Sequence, residues 1–308
     1  MMISVVICTW NRARLLDTTL SEARKLQVPA GVDWELIVVN NDCTDHTEQV
    51  IESHRTCLPI CRLFEPKQGH SNARNCAVAA AKGEVILWTD DDVLLEPDWL
   101  GAYAAATERW PHVSFFGGPV DPWFEGSPPQ WLQRVWPQVS NAYAIRDLGT
   151  EPIPFSKAAF PYGANFAIRT LEQRKYLYDP TLGRNKNSMM GHDETTVFYR
   201  MLQDGLEGRW VPSARVKHYV PRERQTLAYL RRFYRGDGEF YGRKWEEDRY
   251  PKLFGRPRWL WRRALEAEMR YRWRRVFREP EVWIEDLRRS SFLWGQLRGI
   301  PRAHHLEG

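Results

Sequence analysis

Three consecutive carboxylates, Asp90, Asp91 and Asp92, close an apolar run of strand character from Val85 to Thr89. Burying the run is favourable; burying three adjacent carboxylates is not, unless positive charge sits beside them. In an extended strand end, residues two apart face the same way, so Asp90 and Asp92 share one side and Asp91 points elsewhere. Carboxylate oxygens gathered on one side suit a hard divalent cation, Mg2+ or Mn2+, of the kind shared with substrate phosphates. The competing reading is a solvated acidic turn, and the triplet alone does not separate the two.

The elements that must position the triplet bear on that choice. Ile3 to Cys8, Trp34 to Val39, Ile60 to Phe64, Val85 to Thr89 and Val113 to Phe116 read as strands. Helical spacing runs from Ala13 to Lys25, through Ile51 with Thr44 or Asp45 as cap, and from Asn72 to Ala81 with Ser71 as cap. Pro97 opens another helix through Trp110. Strands alternating with helices imply right-handed crossovers and a largely parallel sheet, whose ligands bind beyond the strands' carboxyl ends. Thr9 to Arg12, Asn40 to Asp45 and Asp90 to Asp92 all leave that edge. Three polar clusters converging on one edge favour a ligand site over an accidental acidic turn. Further on, Gly117 to Pro161 reads as irregular surface, Thr195 to Leu202 as a helix, and Arg209 to Pro212 and Ala214 to Val220 as short strands. Thr226 to Tyr241 reads as a basic-aromatic helix broken near Gly236.

Length and composition bound the class. A chain of 308 residues supports one large α/β domain with an appendage. Its five cysteines are an odd number with no CxxC pair, which argues against a disulfide framework or zinc site and fits a reducing compartment. The N-terminus lacks a charged segment followed by a long apolar one, so no secretory signal is expected there. No apolar run is long enough to span a bilayer. The net charge of +5 is unevenly placed: Arg256 to Arg302 holds 13 arginines against six acidic residues.

The ordered motifs resemble the inverting family 2 glycosyltransferases with a GT-A fold. They are Ser-Val-Val-Ile-Cys-Thr-Trp-Asn-Arg from Ser4, Val-Val-Asn-Asn-Asp-Cys-Thr-Asp from Val38, and the stretch from Gly69 to Glu84 around Ala73-Arg74-Asn75. Thr-Asp-Asp-Asp-Val from Thr89, Gly-Ala-Asn-Phe-Ala-Ile from Gly163, Gly-His-Asp-Glu-Thr from Gly191 and Val-Lys-His from Val216 complete the set. The resemblance covers roughly Ile3 to Gly242. It implies a catalytic domain over 1–242, with a nucleotide-sugar-binding half (1–116) and an acceptor half (117–242), followed by a basic helical extension over 243–308.

Residue by residue, the resemblance implies a donor site at Thr9, Asn11, Arg12, Asn72, Arg74, Asp90 and Asp91, with Asp42 at the nucleobase. Asp92 and His218 would hold Mn2+ or Mg2+, and Asp193 would be the base, with the adjacent Glu194 as the alternative because His192 stands where the family more often has Glu. Asn165, His192 and Glu194 would lie on the acceptor side. The chain departs from the family's usual Asp-Asp-Gly-Ser-Thr-Asp loop, because Asn41 and Cys43 stand where an acid and a small residue are usual. The implied reaction moves a sugar from a nucleotide-diphosphate sugar, a UDP-sugar first, to a glycan or lipid-linked hydroxyl in one displacement. Taken without the resemblance, His218 is a packed strand histidine, Arg74 a solvated helix arginine and Asn165 a turn former. Trp10, Trp88 and Trp99 read as core; Trp123, Trp131 and Trp136 fall where an acceptor sugar could stack.

From Trp261 a stripe of Leu265, Met269, Trp273 and Phe277 repeats every four residues among arginines. Such a helix either packs on the catalytic domain or lies on an anionic membrane surface. The second reading suits a cytoplasmic protein peripheral to the inner face of the plasma membrane. Nucleic acid is not an expected partner, because no recognised binding module accompanies the charge. A sugar nucleotidyltransferase would need a glycine-rich loop for a triphosphate, and Thr9 to Leu16 holds no glycine. A non-catalytic nucleotide-sugar-binding or membrane-surface scaffold protein is the remaining rival.

Overall fold

In the computed structural model, which describes residues 1–183, 191–245 and 250–301, alternating strands and helices open the chain. In order they are β1 (Met2–Thr9), α1 (Ala13–Ala23), β2 (Asp33–Asn40), α2 (Thr47–His54), β3 (Ile60–Phe64), α3 (His70–Ala80), β4 (Val85–Asp90) and β5 (Val93–Leu95). There follow α4 (Trp99–Arg109), β6 (Phe115–Gly117), β7 (Val120–Phe124), α5 (Gln130–Val139), β8 (Asn165–Arg169), α6 (Thr170–Lys175) and α7 (Asp193–Gln203). The remainder is β9 (Gly208–Trp210), β10 (Val216–Val220), α8 (Leu227–Arg243), β11 (Lys252–Leu253), β12 (Arg256–Pro257), α9 (Arg258–Phe277) and α10 (Pro280–Gly299). The end of the extension expected over 243–308, residues 302–308, lies outside the described residues.

The main sheet runs β3-β2-β1-β4-β8-β6-β9, and a smaller one runs β5-β10-β7. β3, β2, β1 and β4 are mutually parallel, whereas β8 lies antiparallel between β4 and β6. The strands are apolar on both faces because both faces are covered. Val5, Ile7, Leu36, Val38, Val85 and Leu87 face one core layer with residues of α1 and α4. Val6, Ile37, Val39, Ile86 and Trp88 face the other with residues of α3 and α7. This period of two fixes the register, since a slip by one residue would exchange the two layers.

Contacts divide the described residues into two compact units. The first holds Met1–Trp123, Tyr143–Gly183 and His192–Tyr219. The second holds Phe124–Ala142, Gly191 and the described residues from Val220 onward. The helix α8, assigned from sequence to the acceptor half, therefore clusters with α9 and α10. It is also unbroken past Gly236. Its glycines are packing surfaces: a Cβ at Gly238 or Gly242 would meet the Phe292 or Gln296 carbonyl oxygen, and one at Gly295 or Gly299 would meet that of Arg235 or Glu239. Glycines four apart on both helices let the two backbones approach closely, which outweighs the low helix propensity of glycine. Among the described residues no helix is long and apolar enough to cross a membrane.

Candidate active site

Strand register brings the three polar clusters to one level. Cys8 pairs with Asp90, and Thr9 with Asn40, so the loops after β1, β2 and β4 leave the sheet side by side. β10 pairs antiparallel with β5, opposing His218 to Val93, the residue after Asp92. One ligand atom each from Asp90, Asp92 and His218 lie within 4.8 Å of one another.

The donor set fits a divalent cation. His218 Nδ1 lies 2.8 Å from the Tyr143 carbonyl oxygen, which can only accept, so Nδ1 carries the proton. That fixes the tautomer and turns Nε2 toward Asp92 Oδ1, 3.2 Å away. Two carboxylates and an imidazole nitrogen match the ligand preferences of Mn2+ and Mg2+. The packed strand histidine and the ligand are thus the same residue: burial and the Tyr143 bond aim it.

Asp91 does the opposite job. It is buried; its carboxylate accepts from the Thr9 hydroxyl (2.8 Å) and Arg12 (2.8 Å), and its backbone carbonyl accepts from the Thr19 hydroxyl (2.9 Å). Burial pushes its carboxyl up, and the Arg12 guanidinium opposes that. Arg12 also reaches Asp92 at 3.1 Å. Thr9 and Asp91, expected beside the donor, are buried and braced against each other. Their hydrogen bonds hold the acidic turn in shape, with Asp90 half-buried and Asp92 buried beside His218.

The other loops are ordered by side chains expected to touch the donor. Asn11, at φ 52°, accepts through its side-chain oxygen from the backbone N–H of Thr44 (2.7 Å) and of Asp45 (3.3 Å). Asp42, at φ 60°, is half-buried and accepts from Gln68 (3.1 Å). Asn72 donates to the Gln68 carbonyl (3.2 Å). Asn and Asp are among the non-glycine residues that enter the left-handed region most readily, and here they turn two neighbouring loops. Asn41, given no role from sequence, pins the following loop by bonding the Glu65 and Lys67 carbonyls and the Gly69 N–H. Ser71 lies inside α3 and donates to the Leu182 carbonyl, so it is not a cap.

A second charged cluster forms where α3 meets α7. Arg74 is buried, with its guanidinium over the rings of Tyr178 (5.0 Å), Phe166 (5.5 Å) and Trp88 (5.6 Å). Its Nη1 lies 3.1 Å from Asp193 Oδ2 and 3.5 Å from Glu194 Oε2. His70, another residue given no role from sequence, stands 3.0 Å from Asp193 Oδ2. Burial alone would raise the Asp193 carboxyl, but Arg74 and then His70 outweigh it and hold the group well below the usual carboxylate range. Glu194 is shifted the other way: burial first, and the Asp193 charge second, push it up to about 8. Its side chain keeps 20% exposure, whereas that of Asp193 keeps 3%. His192 caps α7 in the left-handed conformation, φ 72°.

A carboxylate held low by an ion pair is a weaker base, and this environment surrounds Asp193, the base implied by the resemblance. Arg74 is enclosed by aromatic rings instead of lying open at the donor, although the Asp90 charge still acts on it.

Asn165, expected on the acceptor side, is placed in the interior. It is fully buried, accepting from Trp99 Nε1 and the Tyr103 hydroxyl (both 2.8 Å) and donating to the Pro119 and Ala214 carbonyls (2.9 and 2.6 Å). All four bonds are internal, so it ties α4 to β8 and the segments beside it and has no face for an acceptor. Asn165→Ala should cost on the order of 3–5 kcal/mol of stability, because several buried polar groups lose their partners at once. Urea denaturation measures this, and a loss below about 1 kcal/mol would contradict the account. Of the tryptophans expected in the core, Trp88 and Trp99 are buried and Trp10 is exposed. Trp123 packs against Tyr219 at 4.8 Å, Trp136 against Phe124 at 4.8 Å, and Trp131 against Trp283 at 6.4 Å.

A mixed α/β sheet with an Asp-rich candidate metal site at its carboxyl edge defines a GT-A type of protein. Residues 4–169, more than half of the chain, match the family described as Glycosyl transferase family 2, and the chain belongs to that family; it is a glycosyltransferase. It is 26% identical over 253 residues to the succinoglycan biosynthesis protein ExoM of Rhizobium meliloti, covering 78% of this chain and 74% of that one. It is 35% identical over 107 residues to a validoxylamine A glucosyltransferase of Streptomyces hygroscopicus, covering 34% of this chain and 25% of that one. Among solved structures, the mannosyltransferase PcManGT of Pyrobaculum calidifontis, in complex with GDP-Man and Mn2+, superposes with TM-score 0.62 over 96% of this chain and 86% of that one, at 16% identity. Residues 1–349 of TarS from S. aureus, in complex with UDP, superpose with TM-score 0.53 over 97% of this chain and 91% of that one, at 16% identity. At these identities the structures share the fold.

Proposed function

We propose that this glycosyltransferase moves a sugar from a nucleotide-diphosphate sugar to a hydroxyl of a glycan or lipid-linked acceptor, with inversion and with help from Mn2+ or Mg2+. The observation that carries the reading is the gathering of Asp90, Asp92 and His218 at the edge where the β1 and β2 loops open. Asp90, Asp92 and His218 hold the cation, which when bound offsets the charge that builds on the departing diphosphate. Asn11 and Asp42 shape the two loops that receive the nucleotide. Glu194 replaces Asp193 as the base: it takes the proton of the acceptor hydroxyl while that oxygen bonds to the anomeric carbon and the bond from that carbon to the diphosphate breaks. Asp193, Arg74 and His70 hold Glu194 in place. A single displacement from the face opposite the leaving group inverts the centre.

The name of ExoM, a succinoglycan biosynthesis protein, supports glycan biosynthesis as the setting, and PcManGT and TarS, solved with GDP-Man and UDP, support a nucleotide-linked donor. The free cysteines among the described residues support a reducing, cytoplasmic environment. The test is a thermal-shift panel of UDP-, GDP-, dTDP- and CDP-sugars, each with Mn2+, Mg2+ or chelator. One nucleotide should raise Tm in a metal-dependent manner, and product analysis with it should show an inverted linkage. Folded protein with no shift for any donor would favour the scaffold reading.

A further inference from the structure

The helix α9 is apolar on two opposite faces. Leu260, Ala264, Ala267 and Tyr271 form its buried face, and the first three join a core with Leu293 and Leu297 of α10. A helix that packs in this way normally turns polar residues outward. Here the outward face carries Leu265, Met269, Trp273, Val276 and Phe277, each at least half exposed and Val276 at 73%. The exposed rings of Trp273 and Phe277 meet at a tilt, their centroids 5.7 Å apart.

The stripe continues into a strained turn. Trp261, four residues before Leu265, meets Phe254 edge-on at 6.2 Å. Phe254 and Gly255 form the two-residue loop joining β11 to β12, with φ 52° and 74°. Such a loop prefers Asn-Gly, and an aromatic residue in the left-handed conformation is unfavourable. Phe254 is nonetheless 78% exposed. Strain held to keep a large apolar ring in water points to function.

Charge identifies the occupant. α9 carries seven arginines and two acidic residues. Glu268 turns inward to Arg231 and Ser290, and Glu266 is offset by Arg262. Arg258 is exposed, and Arg262 and Arg272 (the latter paired with Glu268) are about three-quarters exposed; at three, four and seven residues from Leu265, Met269 and Val276 they lie on the same face as the apolar stripe. Aromatic and aliphatic side chains interleaved with long, exposed arginines, whose charged ends reach outward along their stems, form a surface that suits the interface of an anionic bilayer. A second copy of this chain would bring the same arginines against themselves.

We propose that α9 and the Phe254 turn form a docking face for an anionic lipid membrane. The apolar stripe and the Phe254 ring enter the headgroup–acyl boundary while the arginines stay at the phosphates. This face needs no activity of the first unit, so its test is independent of the proposed reaction. The full chain should sediment with vesicles of phosphatidylcholine mixed with phosphatidylglycerol and remain in solution with phosphatidylcholine alone. The variants Trp273→Ala/Phe277→Ala and Arg258→Gln/Arg262→Gln should each weaken that binding by about tenfold or more. Phe254→Asn is the sharper variant. Asn suits the left-handed turn, so this protein should melt no lower than wild type and still bind vesicles more weakly. Failure of the wild-type chain to bind anionic vesicles would overturn the proposal, as would variants that bind unchanged. Dimerisation seen by light scattering and abolished by Trp273→Ala/Phe277→Ala would reassign the face to a second copy and overturn it equally.

Discussion

Glu194→Gln is expected to lower kcat by roughly 10²–10⁴-fold, the usual contribution of a positioned general base, with donor affinity near wild type. The amide keeps the shape of the carboxyl and cannot accept the acceptor's proton. In the wild-type protein the base works only when ionised, and the Glu194 carboxyl is raised to about 8. The sign follows: kcat/KM should rise with pH, by about tenfold per unit below that value, and level off above it. Asp193→Asn should fail in a different manner. It leaves the buried Arg74 guanidinium short of its main counter-charge, at a cost of about 3–5 kcal/mol, so the loss should show first in the melting temperature. A Glu194→Gln protein that turns over like wild type, or a flat pH profile from 6 to 9 (a range of about one unit or more either side of the raised value), would return the base assignment to Asp193.

Asp92→Asn should abolish the metal-dependent part of donor binding. Asp92 contributes one of three gathered ligands and also faces Arg12 at 3.1 Å and His218 at 3.2 Å. An amide oxygen lacks the charge that makes a carboxylate a good ligand for a hard cation, so metal affinity should fall by about 100-fold or more. For wild type at saturating donor and Mn2+, the stabilisation expected by mass action corresponds to a Tm shift on the order of 5–10 °C. The variant should lose the fraction of that shift that chelator removes from wild type. His218→Ala should behave alike, since Nε2 is the atom its Tyr143 bond directs to the site. Retention of a full, chelator-sensitive shift in both variants would mean that the cation is held elsewhere.

Much of the first unit is legible in local pattern. Alternating strands and helices, the carboxyl-edge loops and the same-side placement of Asp90 and Asp92 follow from periods of two and of about 3.6 residues. The family motifs added His218, which no spacing could have linked to a triplet more than a hundred residues away. Roles that depend on what packs against a residue were not legible. Asn165 stands in a glycine-containing loop motif, yet the Trp99 and Tyr103 side chains consume its oxygen. Arg74 has the look of an exposed helix arginine until Tyr178 and Phe166 close over it.

By itself, then, the sequence determined the order of the elements, the edge at which the polar loops gather and the charge of the C-terminal helices. Those are properties of neighbours along the chain. The tertiary structure set the two adjacent acids apart: Arg74, 119 residues from Asp193 in sequence, pairs with that carboxylate and holds it low, while burial and the Asp193 charge raise Glu194. It also decided which of the two apolar faces of α9 is buried. Both faces have helical spacing, and only the close approach of packed helices selects one for the core and leaves the other to solvent.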